Sequence, residues 1–69
     1  MSYNYSKLLG RIRECGLTQR NLAETIHINP ATLSAKLNGK NAFTTPEIVG
    51  ICKTLNIQND EIVAYFFAE

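Results

Sequence analysis

A chain of 69 residues, 45% of them hydrophobic, has material for a thin core and no enclosed substrate cavity, which argues against an enzyme. No apolar run approaches the ~20 residues that cross a bilayer, and residues 1–9 hold neither a long apolar stretch nor a small-residue cleavage site, so the expected location is cytoplasmic. A formal net charge of +1 is low for a nucleic-acid binder, which moves attention from total charge to its distribution.

Five short helices fit the pattern, and no segment alternates with period two for long. The first covers about residues 4–15, with Tyr5, Leu8, Leu9 and Ile12 on one face and Gly16 as its stop. Gly10 inside it costs ~1 kcal/mol relative to Ala and suggests a close helix crossing. The second helix starts after Thr18, a good N-cap, and runs to about Ile26 with Leu22, Ala23 and Ile26 inward. Asn29-Pro30 opens the third, which carries Leu33 and Leu37 and stops at Asn38-Gly39. Thr44, with Glu47 three residues on, is a capping box for a fourth helix bearing Ile48, Val49, Ile51, Cys52 and Leu55. A fifth begins near Asn59 and runs to the end of the chain. The expectation is an all-α, five-helix domain over residues 1–69.

The connection between the second and third helices, around His27-Ile28, is only a few residues long. Such a turn forces a steep crossing, locked by Leu22, Ala23 and Ile26 against Leu33 and Leu37. Ala23 must be small where the helices approach. This is helix-turn-helix geometry, and it lifts the start of the third helix clear of the body. That helix offers Asn29, Ala31, Thr32, Ser34, Ala35 and Lys36, small or polar groups suited to base edges in the major groove. Lys36, Asn38, Lys40 and Asn41 can reach phosphates, as can Gln19 and Arg20 at the start of the second helix. Arg11 and Arg13 are secondary phosphate candidates.

The run Leu17-Thr18-Gln19-Arg20-Asn21-Leu22-Ala23, then Ile26, Asn29-Pro30-Ala31-Thr32-Leu33-Ser34 and Asn38-Gly39-Lys40, resembles the Cro/CI-type helix-turn-helix family, also called lambda-repressor-like or XRE-like. The resemblance covers roughly residues 5–55. Phe43-Thr44, Glu47-Ile48 and the closing Tyr65-Phe66-Phe67 are similar to small phage and prophage Cro-like regulators. It implies a lambda-repressor-like fold in a bacterial host cell. It further implies that Gln19 clamps a phosphate, that Asn29, Ala31, Thr32 and Ser34 face bases, and that Asn38 and Lys40 hold the backbone. Two positions depart from the family pattern. His27 stands where Gly is frequent, and His tolerates positive φ better than most residues. Lys36 stands where an apolar residue is frequent, which leaves open whether Ala35 or Lys36 points at DNA.

Residues 7–40 carry a charge of +4 and the remainder −3, as expected of one DNA-facing side and one repelled side. Cys15 and Cys52, far apart, with His27 as the single histidine, make no zinc ligand set. The thiols are expected free and buried, and no cofactor is expected. The tail is apolar almost all round: Ile62, Tyr65 and Phe66 share one face, Val63 and Phe67 another. Residues 57–69 are therefore the candidate dimerisation tail, with contacts from Ile57, Val63, Phe66 and Phe67. The expected activity is operator-DNA binding by a homodimer that regulates transcription, with no membrane or small-molecule partner. Without an attached sensor domain, switching would come from concentration, dimerisation, competition for sites or another protein. A protein-interaction module of the same fold, antirepressor or antitoxin-like, is the alternative that the modest charge and the apolar tail also fit.

Overall fold

The computed structural model describes residues 3–68. Met1, Ser2 and Glu69, on which parts of the leader, domain and tail readings fall, lie outside them. The described chain is all-helical, with α1 (Ser6–Glu14), α2 (Gln19–Thr25), α3 (Pro30–Leu37), α4 (Thr45–Leu55) and α5 (Ile62–Phe66); a 3-10 turn, Asn59–Glu61, precedes α5. The five helices follow the expected order. The first begins two residues later than the apolar pattern suggests, and the last starts in the tighter 3-10 form.

The helix starts come from local chemistry. Thr18 Oγ1 accepts from the Asn21 amide at 3.1 Å, and Asn21 Oδ1 accepts from the Thr18 amide at 3.2 Å. Asn29 Oδ1 accepts from the Ala31 amide at 2.8 Å, with Pro30 at the first helical position. Thr44 and Glu47 exchange side-chain and backbone bonds as a capping box. Each such cap is worth about 1 kcal/mol.

The helix ends share one device. Gly16, His27, Gly39 and Asn56 all take positive φ, between 56° and 79°, where α1 to α4 stop. The amides of Leu17, Ile28, Lys40 and Ile57 then reach back to the carbonyls of Ile12, Ala23, Ala35 and Cys52. This is the Schellman pattern, which satisfies carbonyls that a bare helix end would leave open. His27 thus does the work that glycine does elsewhere, at a φ of 62°.

The core joins Leu8 and Ile12 of α1, Leu22 and Ala23 of α2, Leu33 and Leu37 of α3, and Ile51 and Leu55 of α4. Tyr65 and Phe66 close it from α5. Phe66 is 1% exposed and Ile57 6%. Both were expected at a dimer surface, and both fill the core instead, because a domain this small recruits every large apolar side chain it can reach. Gly10 corrects the reading of a close crossing: a Cβ there would meet nothing within 4 Å. Cys15 is exposed, against expectation, while Cys52 is buried. Arg11 is half-buried, and its Nε donates to the Leu55 carbonyl at 3.0 Å, capping the end of α4 from α1.

Candidate nucleic-acid interface

Four residues, Ile26 to Asn29, separate α2 from α3. The fully buried Leu22, Ala23 and Leu33 hold the two helices together. That packing leaves Asn29, Pro30, Ala31 and Thr32 exposed at the leading edge of α3, with Ser34 and Ala35 half-buried behind them. Gln19 and Arg20 are exposed at the start of α2, and Asn38, Lys40 and Asn41 are exposed after α3. The expected base-facing and backbone-facing residues therefore sit on the termini of two adjacent helices and the loop that follows.

Lys36 is the exception. It is 8% exposed, and its ammonium donates to Glu47 Oε1 at the start of α4. The expectation that it reaches a phosphate is corrected: on α3 it shares the inward sector with Leu33 and Leu37. At 100° per residue this sector places Ala31 and Ala35, four residues apart, on the opposite side. The rotation of α3 is thereby decided, with Ala35 turned outward and Lys36 inward.

The electrostatics change accordingly. Among the six basic residues at positions 7 to 40, Lys36 and Arg11 are bonded internally, and Lys7 lies over the Tyr65 ring at 4.9 Å from its centroid. Arg13, Arg20 and Lys40 stay exposed. Burial on its own pushes the Glu47 carboxyl up; the Lys36 ammonium, with the Thr44 amide and hydroxyl, outweighs that and holds it below its usual range.

Phe43, noted in the sequence only as part of the family resemblance, has a packing role that the sequence did not disclose. Its ring makes edge-to-face contacts with Tyr5 and Phe66, at centroid distances of 5.4 and 5.6 Å. These contacts pin the loop bearing Lys40 and Asn41 to Tyr5, the residue before α1, and to α5. An isolated aromatic in a polar loop is the signal that could have revealed it. An open groove beside it is lined by Tyr3, Lys40, Asn41, Phe43 and Phe67. Among the described residues no helix is long and apolar enough to cross a membrane, and no His, Cys, Asp and Glu cluster could hold a metal ion.

A family model described as "Protein of unknown function (DUF739)" matches residues 1–69. The chain belongs to this DUF739 family. Its structure is similar to the solution structure of the modulator of repression (MOR) of the temperate bacteriophage TP901-1 from Lactococcus lactis. The identity is 40% and the TM-score 0.80, over 97% of this chain and 90% of that one. The crystal structure of the clp gene regulator ClgR from C. glutamicum is similar in fold, with a TM-score of 0.74 at 22% identity, over 87% of this chain and 77% of that one. No curated protein matches the DUF739 chain.

Proposed function

We propose that this protein is a phage-type transcriptional regulator that reads operator DNA through a helix-turn-helix formed by α2 and α3. The observation that carries the reading is the exposed, small-residue leading edge of α3, Asn29 to Thr32, held outward by the buried crossing at Ala23. Asn29, Ala31, Thr32, Ser34 and Ala35 read base edges; Gln19, Arg20, Asn38, Lys40 and Asn41 set the register on phosphates. Similarity to a phage modulator of repression supports a regulatory role.

Of the basic residues at positions 7 to 40, Arg13, Arg20 and Lys40 are the exposed ones not engaged by another side chain or carbonyl, which is few for one copy. A pair of copies on two half-sites about 34 Å apart doubles them. If all of them meet phosphates, log K falls with log salt at a slope of about −5. Val63 and Phe67, 68% and 43% exposed, supply the self-contact. The experiment is selection of bound duplexes from a random pool, followed by titration at several salt concentrations. A recovered consensus and a steep salt slope support the reading; no enrichment, even at low salt, sinks it.

One observation favours a second reading, in which the same face docks on a DNA-binding repressor. With Lys36 drawn inward, the exposed edge of α3 from Asn29 to Thr32 carries no formal charge. Release of a repressor from its operator on adding this protein, with no duplex bound by the protein alone, would select that alternative.

A further inference from the structure

A single carboxylate oxygen ties the end of α3 to the start of α4, on either side of the loop assigned to DNA. Glu47 Oε1 accepts from the Thr44 amide at 2.8 Å, closing the cap of α4. It also accepts from the Lys36 ammonium in the last turn of α3. Between these anchors runs the loop carrying Asn38, Lys40 and Asn41. The amides of Gly39 and Lys40 donate to the carbonyls of Lys36 and Ala35, so the loop leaves α3 from the turn that Lys36 holds.

Stability alone is a poor account of this pair. An ion pair taken out of water loses most of its attraction to desolvation, and an apolar side chain of similar volume fills such a site as well or better. What an apolar contact cannot supply is a directional bond of fixed reach. Leu33 and Leu37 already bury the inward stripe of α3, but apolar packing is non-directional and tolerates small rotations. The Lys36–Glu47 bond ties the stripe to one point on α4.

We propose that Lys36 and Glu47 are positioning residues for target recognition: their bond sets the rotation of α3 and the placement of the loop after it, so that Ala31, Thr32 and Ala35 present one fixed pattern. This rests on the reading that the α2–α3 face binds DNA.

The test uses the full chain and a double variant, Lys36→Met with Glu47→Gln. Met keeps the volume, and Gln keeps an acceptor for the Thr44 amide, so the fold and the α4 cap survive. Two probes are compared: a duplex recovered from the random pool and a scrambled duplex of the same length. The expected result is a loss of about tenfold or more in the ratio of the two affinities, equivalent to one bidentate base contact, with affinity for the scrambled duplex little changed. Lys36→Arg, which keeps an ion pair, retains most of the selectivity. Amide hydrogen exchange is the arm that needs no DNA: Gly39 and Lys40 exchange roughly tenfold faster in the double variant while the α1 amides do not change. A folded double variant with wild-type selectivity, or with unchanged exchange at Gly39 and Lys40, overturns the proposal. Wild-type protein that enriches no duplex sinks the DNA reading instead, and the exchange arm still decides whether the pair positions the loop.

Discussion

Gly50 of α4 lies against Ile26, the residue that ends α2, so closely that a Cβ on Gly50 would stand 3.2 Å from Ile26 Cγ2. The two helices meet there because one of them lacks a side chain. Gly10 has open space at the same point of its own helix, with nothing within 4 Å of an added Cβ. Replacing a helical glycine by alanine gains up to about 1 kcal/mol where nothing obstructs it. Gly10→Ala should therefore raise stability by about 0.5–1 kcal/mol in urea unfolding. Gly50→Ala should lose that gain to the push on Ile26 and come out neutral or destabilised. Equal gains from both would refute the close contact.

The contrast between these glycines marks what could be read from the chain before folding. A glycine inside a helical pattern is visible, but which one faces a neighbour depends on residues a helix away. The caps at Thr18, Asn29 and Thr44 were legible because their partners lie two or three positions on. The stops at Gly16 and Gly39 were legible for the same local reason. Lys36 was not, because its partner Glu47 lies eleven residues on, across a loop and on another helix. Phe66 and Phe67 were separable by periodicity into two faces, yet the face that fills the core is decided by where α1 and α4 stand. The residues at the start of α3 are exposed as expected because that turn is organised locally; the expected basic charge is smaller, because Arg11 and Lys36 are used internally.

Acid should weaken the molecule through Glu47. Its carboxyl titrates below its usual range in the folded state: burial opposes this, and the Lys36 and Thr44 bonds prevail. A depressed folded pKa contributes stability that is present above the unfolded value, about 4.3, and is lost as pH falls through the folded value. The urea midpoint should therefore drop as pH is lowered past about 4.3. In Glu47→Gln that part of the drop should be missing. A variant whose pH profile overlays that of the wild type would show that the pair contributes nothing to folding.

The two thiols should differ sharply in reactivity. Cys15 is exposed at the end of α1, whereas Cys52 is buried and its thiol is pushed up by that burial. The thiolate is the reactive form. Ellman's reagent at mildly alkaline pH should titrate Cys15 quickly and reach Cys52 only on opening or in denaturant. Two equal fast phases in the native protein would contradict the placement of Cys52.

Thr32 and Ser34 should matter for discrimination more than for attachment. Thr32 is exposed and Ser34 half-buried on α3, away from Leu33 and Leu37. Thr32→Ala with Ser34→Ala should cost about 1–3 kcal/mol on a selected duplex and little on a scrambled one, measured by fluorescence anisotropy. An equal loss on both duplexes would mean that these hydroxyls do not read bases.

Self-association should be weak and should depend on the tail. Val63 is 68% exposed and Phe67 43%, with the Phe67 ring edge-to-face against Tyr3 at 5.5 Å. A stable interface takes about 800 Å² from each partner, far more than these three side chains present, so a permanent dimer is not expected from this patch alone. Sedimentation should show a monomer in equilibrium with a dimer, with a dissociation constant of micromolar order or weaker. Val63→Ser with Phe67→Ser should remove the dimer and leave the melting temperature nearly unchanged, since exposed substitutions usually shift stability by under about 0.5 kcal/mol. The same variant should bind a single half-site normally and lose its advantage on a paired site, because two linked half-sites gain from the contact between copies. A double variant that dimerises as the wild type does would place the contact elsewhere on the molecule, and the doubling of phosphate contacts would then have to come through another face.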